Sequence, residues 1–302
     1  MSLLATTLTS VALAFTAAAA AAQGLDAQVP HYDHIVVIVD ENKDVAPMMD
    51  PRVAPNFVRL AHQYGRATRF FGEVHPSEAN YIALVGGDTF GIHDDDAYYC
   101  HQGLKDAQCV GTERPDYPDH TIHAPHLGDQ IIAKGLSWAG YYQSLPDPGS
   151  LAANAGDPTW FTGVRGSALY ASKHSGFINF ADVQQDPDRA KHIVGFDRLY
   201  ADITADTLPA FALVVPNQCD DMHGLHAVGA PATCDGFNMK GLIGRGDAML
   251  GDLVARLQAT KAWNGPGNFA IVITYDESGK LKHGGCCGVT PAAPSNFGGG
   301  QI

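Results

Sequence analysis

The sequence predicts an α/β protein built around a mostly parallel β-sheet, and two observations point to this class. Three short apolar segments end abruptly in polar or acidic residues, as buried strands do. Segments with helical spacing alternate with them along the chain, which is the order expected of strand–helix–strand units. Ligands of such sheets gather at the carboxyl ends of the strands, so the polar residues that follow each strand are the first candidates for chemistry.

The three apolar segments are predicted to be buried parallel strands. They are HIVVIVDEN at 34–42, PAFALVVPNQCDD at 209–221 and NFAIVITYDES at 268–278. Short continuous apolar runs flanked by polar residues are typical of strands that are covered on both faces. Because parallel strands end at the same edge of a sheet, we expect the three acidic ends to lie together.

Three further segments are predicted to be amphipathic helices, at 54–65, 124–135 and 246–263. The first stops at a glycine, and the last leads directly into the strand at 268–275. Residues 86–123 and 143–170 are dense in Gly, Pro, Asp and His and are predicted to be excursions from the sheet. The chain has no internal repeat and no low-complexity linker, so we expect one domain over 23–302.

The first 22 residues predict a signal peptide, because the stretch is apolar, rich in small residues and ends in an Ala-x-Ala run. The absence of Lys and Arg from this stretch argues against a signal peptide. The alternative interpretation is a buried N-terminal helix. An Ala tract followed by polar residues makes a poor core helix. We therefore expect a secreted or periplasmic protein without stable membrane insertion, since the apolar run is too short and Ala-rich to span a bilayer.

The formal net charge of −13 argues against a nucleic-acid partner, because an acidic surface repels phosphate backbones. Six cysteines in an exported chain predict disulfides. The expected pairs each close a short loop, Cys100 with Cys109 and Cys219 with Cys234. Cys286 and Cys287 are adjacent and stay open, because they can bond each other or partners elsewhere. Zinc binding is disfavoured because no CxxC spacing occurs.

The residues that follow the first and last predicted strands have the chemistry of a metal site. Glu41 and Asn42 follow the first, and Asp276 and Glu277 follow the last. Carboxylate and amide oxygens are ligands that hard cations prefer, and the strands would fix their geometry. Taken alone, the residues after the first strand can equally be a polar loop that caps the next helix.

Ser77 lies in VHPSEANYIALVGG at 74–87, between a proline and an apolar segment, so it is predicted to be the N-cap of a helix. Free backbone N–H groups and the positive end of the helix dipole suit phosphate binding there and favour an alkoxide. An ordinary capping serine is the simpler interpretation of this residue by itself.

The segment PNQCDDMHGLH at 216–226 adds Asp221 and His223 to the candidates. His223 has the chemistry to donate to a phosphoryl oxygen or to protonate a leaving group. Together, strand-end acids and a helix-cap serine predict a metal-assisted nucleophile that passes through a phosphoserine. A Ser-His-Asp hydrolase is the competing interpretation, but its G-x-S-x-G elbow is absent.

These segments resemble a known family over the span from about His34 to Glu277. HIVVIVDEN, HPSEANYIALVGG, GLSWAGYYQSLP, KHSGFINF, VVPNQCDDMHG and ITYDES are similar to segments of the bacterial phosphoesterase family that includes phospholipases C and the acid phosphatase A type. The family lies within the alkaline-phosphatase superfamily. The resemblance implies a three-layer sandwich around a central, mostly parallel sheet.

The resemblance also implies roles for single residues. One divalent metal ion of unknown identity is expected on Glu41, Asn42, Ser77, Asp276 and Glu277. Substrate binding is assigned to Asn42, Asn80 and His75, and the catalytic set to Ser77, His174, Asp221 and His223. Superfamily relatives present Thr or Ser followed by Pro-Asn, whereas Ala79 stands here in place of the proline.

The sequence departs from the family after Glu277. Relatives carry a Gly-rich turn and an Asp-His before a further strand, whereas KLKHGGCC follows here and His283 is only a loose counterpart. The sequence ends in GGGQI where that strand is expected to begin. We therefore expect the sheet to lack C-terminal strands.

The predicted function is metal-dependent hydrolysis of a small phosphorylated substrate, as in an acid-phosphatase-like phosphomonoesterase. A phospholipase C acting on phospholipid head groups is the closest alternative, since it would share the site and differ in its pocket. An inactive extracellular homologue that only binds metal or phosphate is the alternative from another class.

Overall fold

The computed structural model describes residues 30–101, 108–110, 112, 117–156, 168–279 and 298–302. Its strands are β1 (His34–Asp40), β2 (Trp138–Tyr142), β3 (Asn154–Ala155), β4 (Tyr170–Ala171), β5 (Ile193–Gly195), β6 (Phe211–Val215) and β7 (Phe269–Tyr275). Its α-helices are α1 (Val45–Met48), α2 (Pro55–Gln63), α3 (Glu78–Gly86), α4 (Leu127–Ala133), α5 (Ala181–Gln185), α6 (Phe196–Ala205), α7 (Met239–Gln258) and α8 (Lys261–Asn264).

Five strands form one parallel sheet in the order β5-β2-β6-β1-β7. The predicted strands β1, β6 and β7 are therefore neighbours, with Val37 paired to Leu213 on one side and to Val272 on the other. Because all three run in the same direction, the residues after Asp40, Val215 and Tyr275 emerge at one edge, as the sequence predicts.

Helices cover both faces of the sheet and make three layers. Successive residues of β1 enter different cores, since Val37 and Val39 pack on one face and Val36 and Ile38 on the other. The first core includes residues of α3, α4 and α5, and the second includes residues of α2, α6 and α7. This arrangement confirms the α/β sandwich and explains why the strands read as continuous apolar runs.

The predicted helices are present with different bounds. The longest begins at Met239, seven residues before the predicted start, because the side chain of Asn238 caps it by accepting from Gly241 N. It ends at Gln258, and Thr260 caps the separate helix α8 by accepting from Trp263 N. The predicted strand at 209–221 is shorter, since β6 ends at Val215 and Pro216 cannot donate to the ladder.

Both predicted disulfides are present, Cys100–Cys109 and Cys219–Cys234. In the described parts of the predicted excursions, β3 and β4 form an antiparallel ribbon. No helix within the described residues is long and apolar enough to cross a membrane. The predicted signal peptide, His283, Cys286 and Cys287 lie outside the described residues.

Candidate active site

The turn after β1 brings Glu41 and Asn42 to the edge of the sheet. Asn42 has φ 53°, a left-handed conformation that asparagine tolerates better than most residues. In this turn the Asn42 backbone N–H donates to Asp276 Oδ1 at 3.0 Å, and its side-chain Nδ2 donates to Glu41 Oε2 at 3.1 Å. The first and last strands of the sequence are thus joined directly through predicted site residues.

Ser77 precedes α3 at the N-cap position, but its side chain does not cap the helix. Its backbone is helical and its buried Oγ donates instead to Glu41 Oε2 at 3.1 Å. One of the helix N–H groups expected to be free at this site is occupied, because Glu78 N–H donates to Asp95 Oδ1 at 3.1 Å. The hydroxyl is therefore directed at the acidic cluster.

Glu277, which follows Asp276 after β7, is held by two residues from the Ser77 segment. His75 Nδ1 lies 2.8 Å from Glu277 Oε1, and Asn80 Nδ2 donates to Glu277 Oε2 at 3.3 Å. The Asn80 amide also accepts from Val74 N–H and donates to Val74 O. Both residues support Glu277 in this structure, and their assignment to substrate binding stays a prediction.

The loop after β6 places Asp221 beside two histidines. His174 lies between two acids, with Nε2 3.2 Å from Glu41 Oε1 and Nδ1 3.5 Å from Asp221 Oδ2. Asp221 Oδ1 accepts from the His223 backbone N–H at 2.7 Å. The two imidazole rings are 5.5 Å apart, and His174 also stacks on Tyr81. The structure thus brings His174, Asp221 and His223 to the same edge as Ser77.

Burial dominates the electrostatics of this edge. It raises the pKa of Glu41 and of Asp221 well above their ordinary values, and neighbouring carboxylates add to the effect. Burial also raises the pKa of Asp276 to about 6. The two histidines shift in the opposite direction, because burial lowers the pKa of His174 strongly and that of His223 to about 4. Crowded carboxylates beside neutral imidazoles are the environment that a cation would stabilise.

The donor atoms fit a metal ion. Asp276 Oδ2 is buried and has no hydrogen-bond partner among the described residues, and Glu41 Oε1 is buried with His174 Nε2 3.2 Å away but no hydrogen bond between them. Such buried oxygens are costly unless a cation or a donor satisfies them. A second, overlapping group consists of Glu41, His174 and His223, whose ligand atoms all lie within 4.8 Å of one another. Glu41 belongs both to this group and to the pair of buried oxygens with Asp276. A metal ion held by either set would therefore contact Glu41.

Sequence reasoning missed two lysines beside this cluster. Lys43 is buried and its Nζ donates to the carbonyl oxygens of Met222 at 2.7 Å, Asn42 at 3.1 Å and Glu41 at 3.3 Å. Lys173, next to His174, pairs with Asp95 at 2.8 Å. The position of Lys43 directly after the predicted site residues Glu41 and Asn42 was the available signal for it, whereas no local pattern indicates Lys173.

A buried ion network also lies behind the segment that carries Ser77. Glu78 Oε2 is 2.9 Å from His120 Nδ1, and His120 Nε2 is 3.1 Å from Asp94 Oδ1. Asn179 Nδ2 donates to the other Glu78 oxygen at 2.7 Å. These residues are far apart in the sequence, so their contact could be read only from the fold.

A serine directed at strand-end acids is the arrangement that the sequence resemblance implies, and comparison with known proteins identifies the family. Residues 45–285 match the phosphoesterase family. The chain belongs to this family. It is similar to a phosphatidylinositol-3-phosphatase of Mycobacterium tuberculosis, with 28% identity over 248 residues covering 82% of this chain and 64% of that protein.

Two fungal proteins are also similar. A phosphate-repressible acid phosphatase of Penicillium chrysogenum is 28% identical over 68% of this chain and 43% of its own length. An acid phosphatase of Aspergillus fumigatus is 26% identical over 58% of this chain and 33% of its own length. The chain thus spans less than two thirds of the length of each of these relatives.

Proposed function

We propose that this phosphoesterase-family protein hydrolyses phosphate monoesters with Ser77 as its nucleophile. The observation that carries the proposal is the buried Ser77 Oγ donating to Glu41 Oε2 at the edge where three parallel strands end. Membership of the family and the phosphatase names of the similar proteins support ester hydrolysis. The monoesterase is favoured over phospholipase C because these relatives carry phosphatase names.

Glu41, Asn42, Ser77 and Asp276, supported by Glu277, would hold a divalent metal ion. When bound, such an ion neutralises phosphoryl oxygens and favours the ionised form of a serine hydroxyl. The oxygen-rich set suits a hard cation, whereas participation of His174 and His223 would favour a softer ion such as zinc.

The residues of the chain supply the proton transfers of the proposed reaction. The Ser77 Oγ–phosphorus bond forms as the hydroxyl proton passes to Glu41 Oε2, its hydrogen-bond acceptor. His223 Nδ1 lies 2.9 Å from Gly224 O, and a carbonyl can only accept, so Nδ1 carries the proton and Nε2 is left to exchange one.

A bound phosphate dianion raises the pKa of the His223 imidazole, so that Nε2 takes up a proton from solvent as the substrate binds and passes it to the leaving alcohol oxygen as the ester bond breaks. Water then attacks the phosphoserine and gives its proton to His223 Nε2, and inorganic phosphate leaves as Glu41 returns the hydroxyl proton to Ser77. Asp221 is a positioning residue in this scheme, since it holds the His223 backbone and lies beside His174.

The proposed location is outside the cytoplasm. Two disulfides close loops of the described structure, and disulfides persist in oxidising compartments. The predicted signal peptide at residues 1–22 supports the same location. Phosphorylated small molecules are the proposed partners.

The deciding experiment is Ser77→Ala assayed with p-nitrophenyl phosphate. We expect activity to fall roughly 10⁴-fold or more, as when a covalent nucleophile is removed, with thermal unfolding unchanged. Ser137→Ala is the matched control, because Ser137 is exposed just before β2, away from the carboxyl ends of the strands. Near wild-type hydrolysis by Ser77→Ala would refute the mechanism.

Metal dependence needs its own test. Dialysis against a chelator should abolish hydrolysis, and one of a panel of divalent ions should restore it. Indifference to the chelator would remove the metal from the proposal. A folded, metal-replete protein that hydrolyses neither phosphomonoesters nor phosphatidylcholine would favour the inactive binding homologue.

A further inference from the structure

A small pocket lies beside the candidate active site, and none of its lining residues has a role in the proposed reaction. Its volume is about 160 Å³, and we call it the polar pocket. Its polar lining residues are Asp95, Gln108, Asn154, Ser172 and Lys173. The remaining described lining residues are alanines, so amide, hydroxyl and charged groups dominate its wall.

Two walls of the polar pocket continue into the active site. Ser172 and Lys173 belong to a 3₁₀ turn whose third residue, His174, lies 3.2 Å from Glu41. On the other side, Asp95 accepts from the backbone N–H of Glu78, the residue after the nucleophile. The lining residues Asp95 and Lys173 are therefore each joined to a segment that carries a candidate active-site residue, Ser77 in one case and His174 in the other.

The Asp95–Lys173 pair stands where these two walls meet. Lys173 Nζ is 2.8 Å from Asp95 Oδ2, so the pair ties the nucleophile helix to the histidine turn. The pair presents a donor and an acceptor together without net charge, which suits a hydroxyl group better than a second anion.

The rest of the wall is held in place. Asn154 pairs with Ala171 in the β3–β4 ribbon, and Ser172 N–H donates to Ala153 O at 2.8 Å. On the opposite side, Ala97 N–H donates to Gln108 O at 3.0 Å beside the Cys100–Cys109 disulfide. Polar groups on such fixed elements select ligands well, because a ligand that cannot pair with them leaves them unsatisfied.

We propose that the polar pocket binds the hydroxylated leaving group of a phosphate monoester, a polyol or sugar, with Asp95, Asn154 and Lys173 as specificity-determining residues. The inference rests on the proposed phosphomonoesterase function. An acyl chain fits this site poorly, because it would leave the amide and charged groups without partners. The pocket therefore distinguishes substrates by the hydroxyl groups next to the phosphate.

The test compares two substrates of the same ring size, myo-inositol 1-phosphate and cyclohexyl phosphate, which differ in the hydroxyls of the ring. The variant is Asn154→Leu, and Gln63→Leu on the exposed face of α2 is the control. We expect Asn154→Leu to lower kcat/KM for the inositol ester roughly 10-fold or more relative to the cyclohexyl ester. The control should leave this ratio unchanged.

The outcomes separate the two proposals. If the metal-replete wild type hydrolyses neither ester nor p-nitrophenyl phosphate, the proposed function itself fails. If it hydrolyses both esters and Asn154→Leu leaves their ratio unchanged, or lowers both equally, the pocket inference fails alone. Activity on the cyclohexyl ester also shows that the variant is folded.

A lipid arm identifies the source of the hydroxylated group. Phosphatidylcholine vesicles that carry phosphatidylinositol 4-phosphate present the same ring on a membrane. Hydrolysis there with the same sensitivity to Asn154→Leu assigns the pocket to a lipid head group as well. Hydrolysis of the soluble ester alone assigns it to free polyol phosphates, and both results support the proposal.

Discussion

Replacing Lys43 with methionine tests whether a buried ammonium group holds the active-site loops together. Methionine keeps most of the length of the aliphatic stem but removes three hydrogen bonds to carbonyl oxygens, of which the shortest joins Lys43 to Met222 after β6. Two of the three acceptors belong to Glu41 and Asn42, so the same group braces the turn after β1. The variant therefore removes the Lys43 contacts that join the turn after β1, with its proposed metal ligands, to the loop after β6, which carries His223.

The size of the effect follows from these contacts. Each hydrogen bond from a charged donor contributes roughly 1.5–3 kcal/mol, and relief from burying the ammonium offsets part of the sum. We expect a net loss of about 3 kcal/mol in the free energy of unfolding. For a chain of this size this is a fall in Tm of roughly 5 °C.

Activity is the second measurement. Removing the Lys43 charge should strengthen metal binding by the nearby acids, whereas losing its hydrogen bonds should weaken it. Because these effects oppose each other, metal affinity does not test the prediction. We expect kcat/KM for p-nitrophenyl phosphate at saturating metal to fall roughly 10- to 100-fold, as for other residues that orient metal ligands. Lys240→Met, at an exposed position of α7, is the control. A Tm within 2 °C and kcat/KM within twofold of wild type would refute the reasoning (both thresholds set at about the limits of measurement).

Two further predictions concern stability. Replacing both Cys219 and Cys234 with alanine opens a loop with a sequence separation of 15 and should cost about 3 kcal/mol, measured by denaturant unfolding; a loss below about 1 kcal/mol would contradict it. The double variant Glu78→Gln, His120→Phe tests the buried network by its pH dependence. In the folded protein, burial raises the pKa of Glu78 to about 7. Burial lowers the pKa of His120, but its acidic partners outweigh this effect and raise the pKa to about 10. Because both pKa values lie above those of the unfolded chain, the contribution of Glu78 is lost as the pH rises from about 4.5 to 7, and that of His120 as it rises from about 6.5 to 10. Wild type should therefore lose about 1.4 kcal/mol per pH unit relative to the variant between pH 7 and 10, where His120 is the group that titrates. Parallel curves in that window would contradict the network.

The local chemistry of the sequence was sufficient to predict the central strands and to place several candidate site residues at their carboxyl ends. Apolar runs such as 34–40 and 269–275 are strands because they are covered on both faces, and their polar ends must share an edge if the sheet is parallel. Ser77 could be placed before a helix for the same local reason. What could not be predicted was where its side chain points, because an N-cap serine and a serine directed at Glu41 look alike in sequence.

Contacts between distant segments were decided only by the tertiary structure. Lys173 meets Asp95, His120 meets Glu78, and Lys43 meets Met222, in each case across more than 40 residues or between separate loops. No periodicity records such pairs, because their energy arises from burial and charge that exist only after the chain has folded. The sequence by itself determined which residues end the strands; the fold determined that Glu41 is the acid at which the serine, the asparagine and a histidine converge.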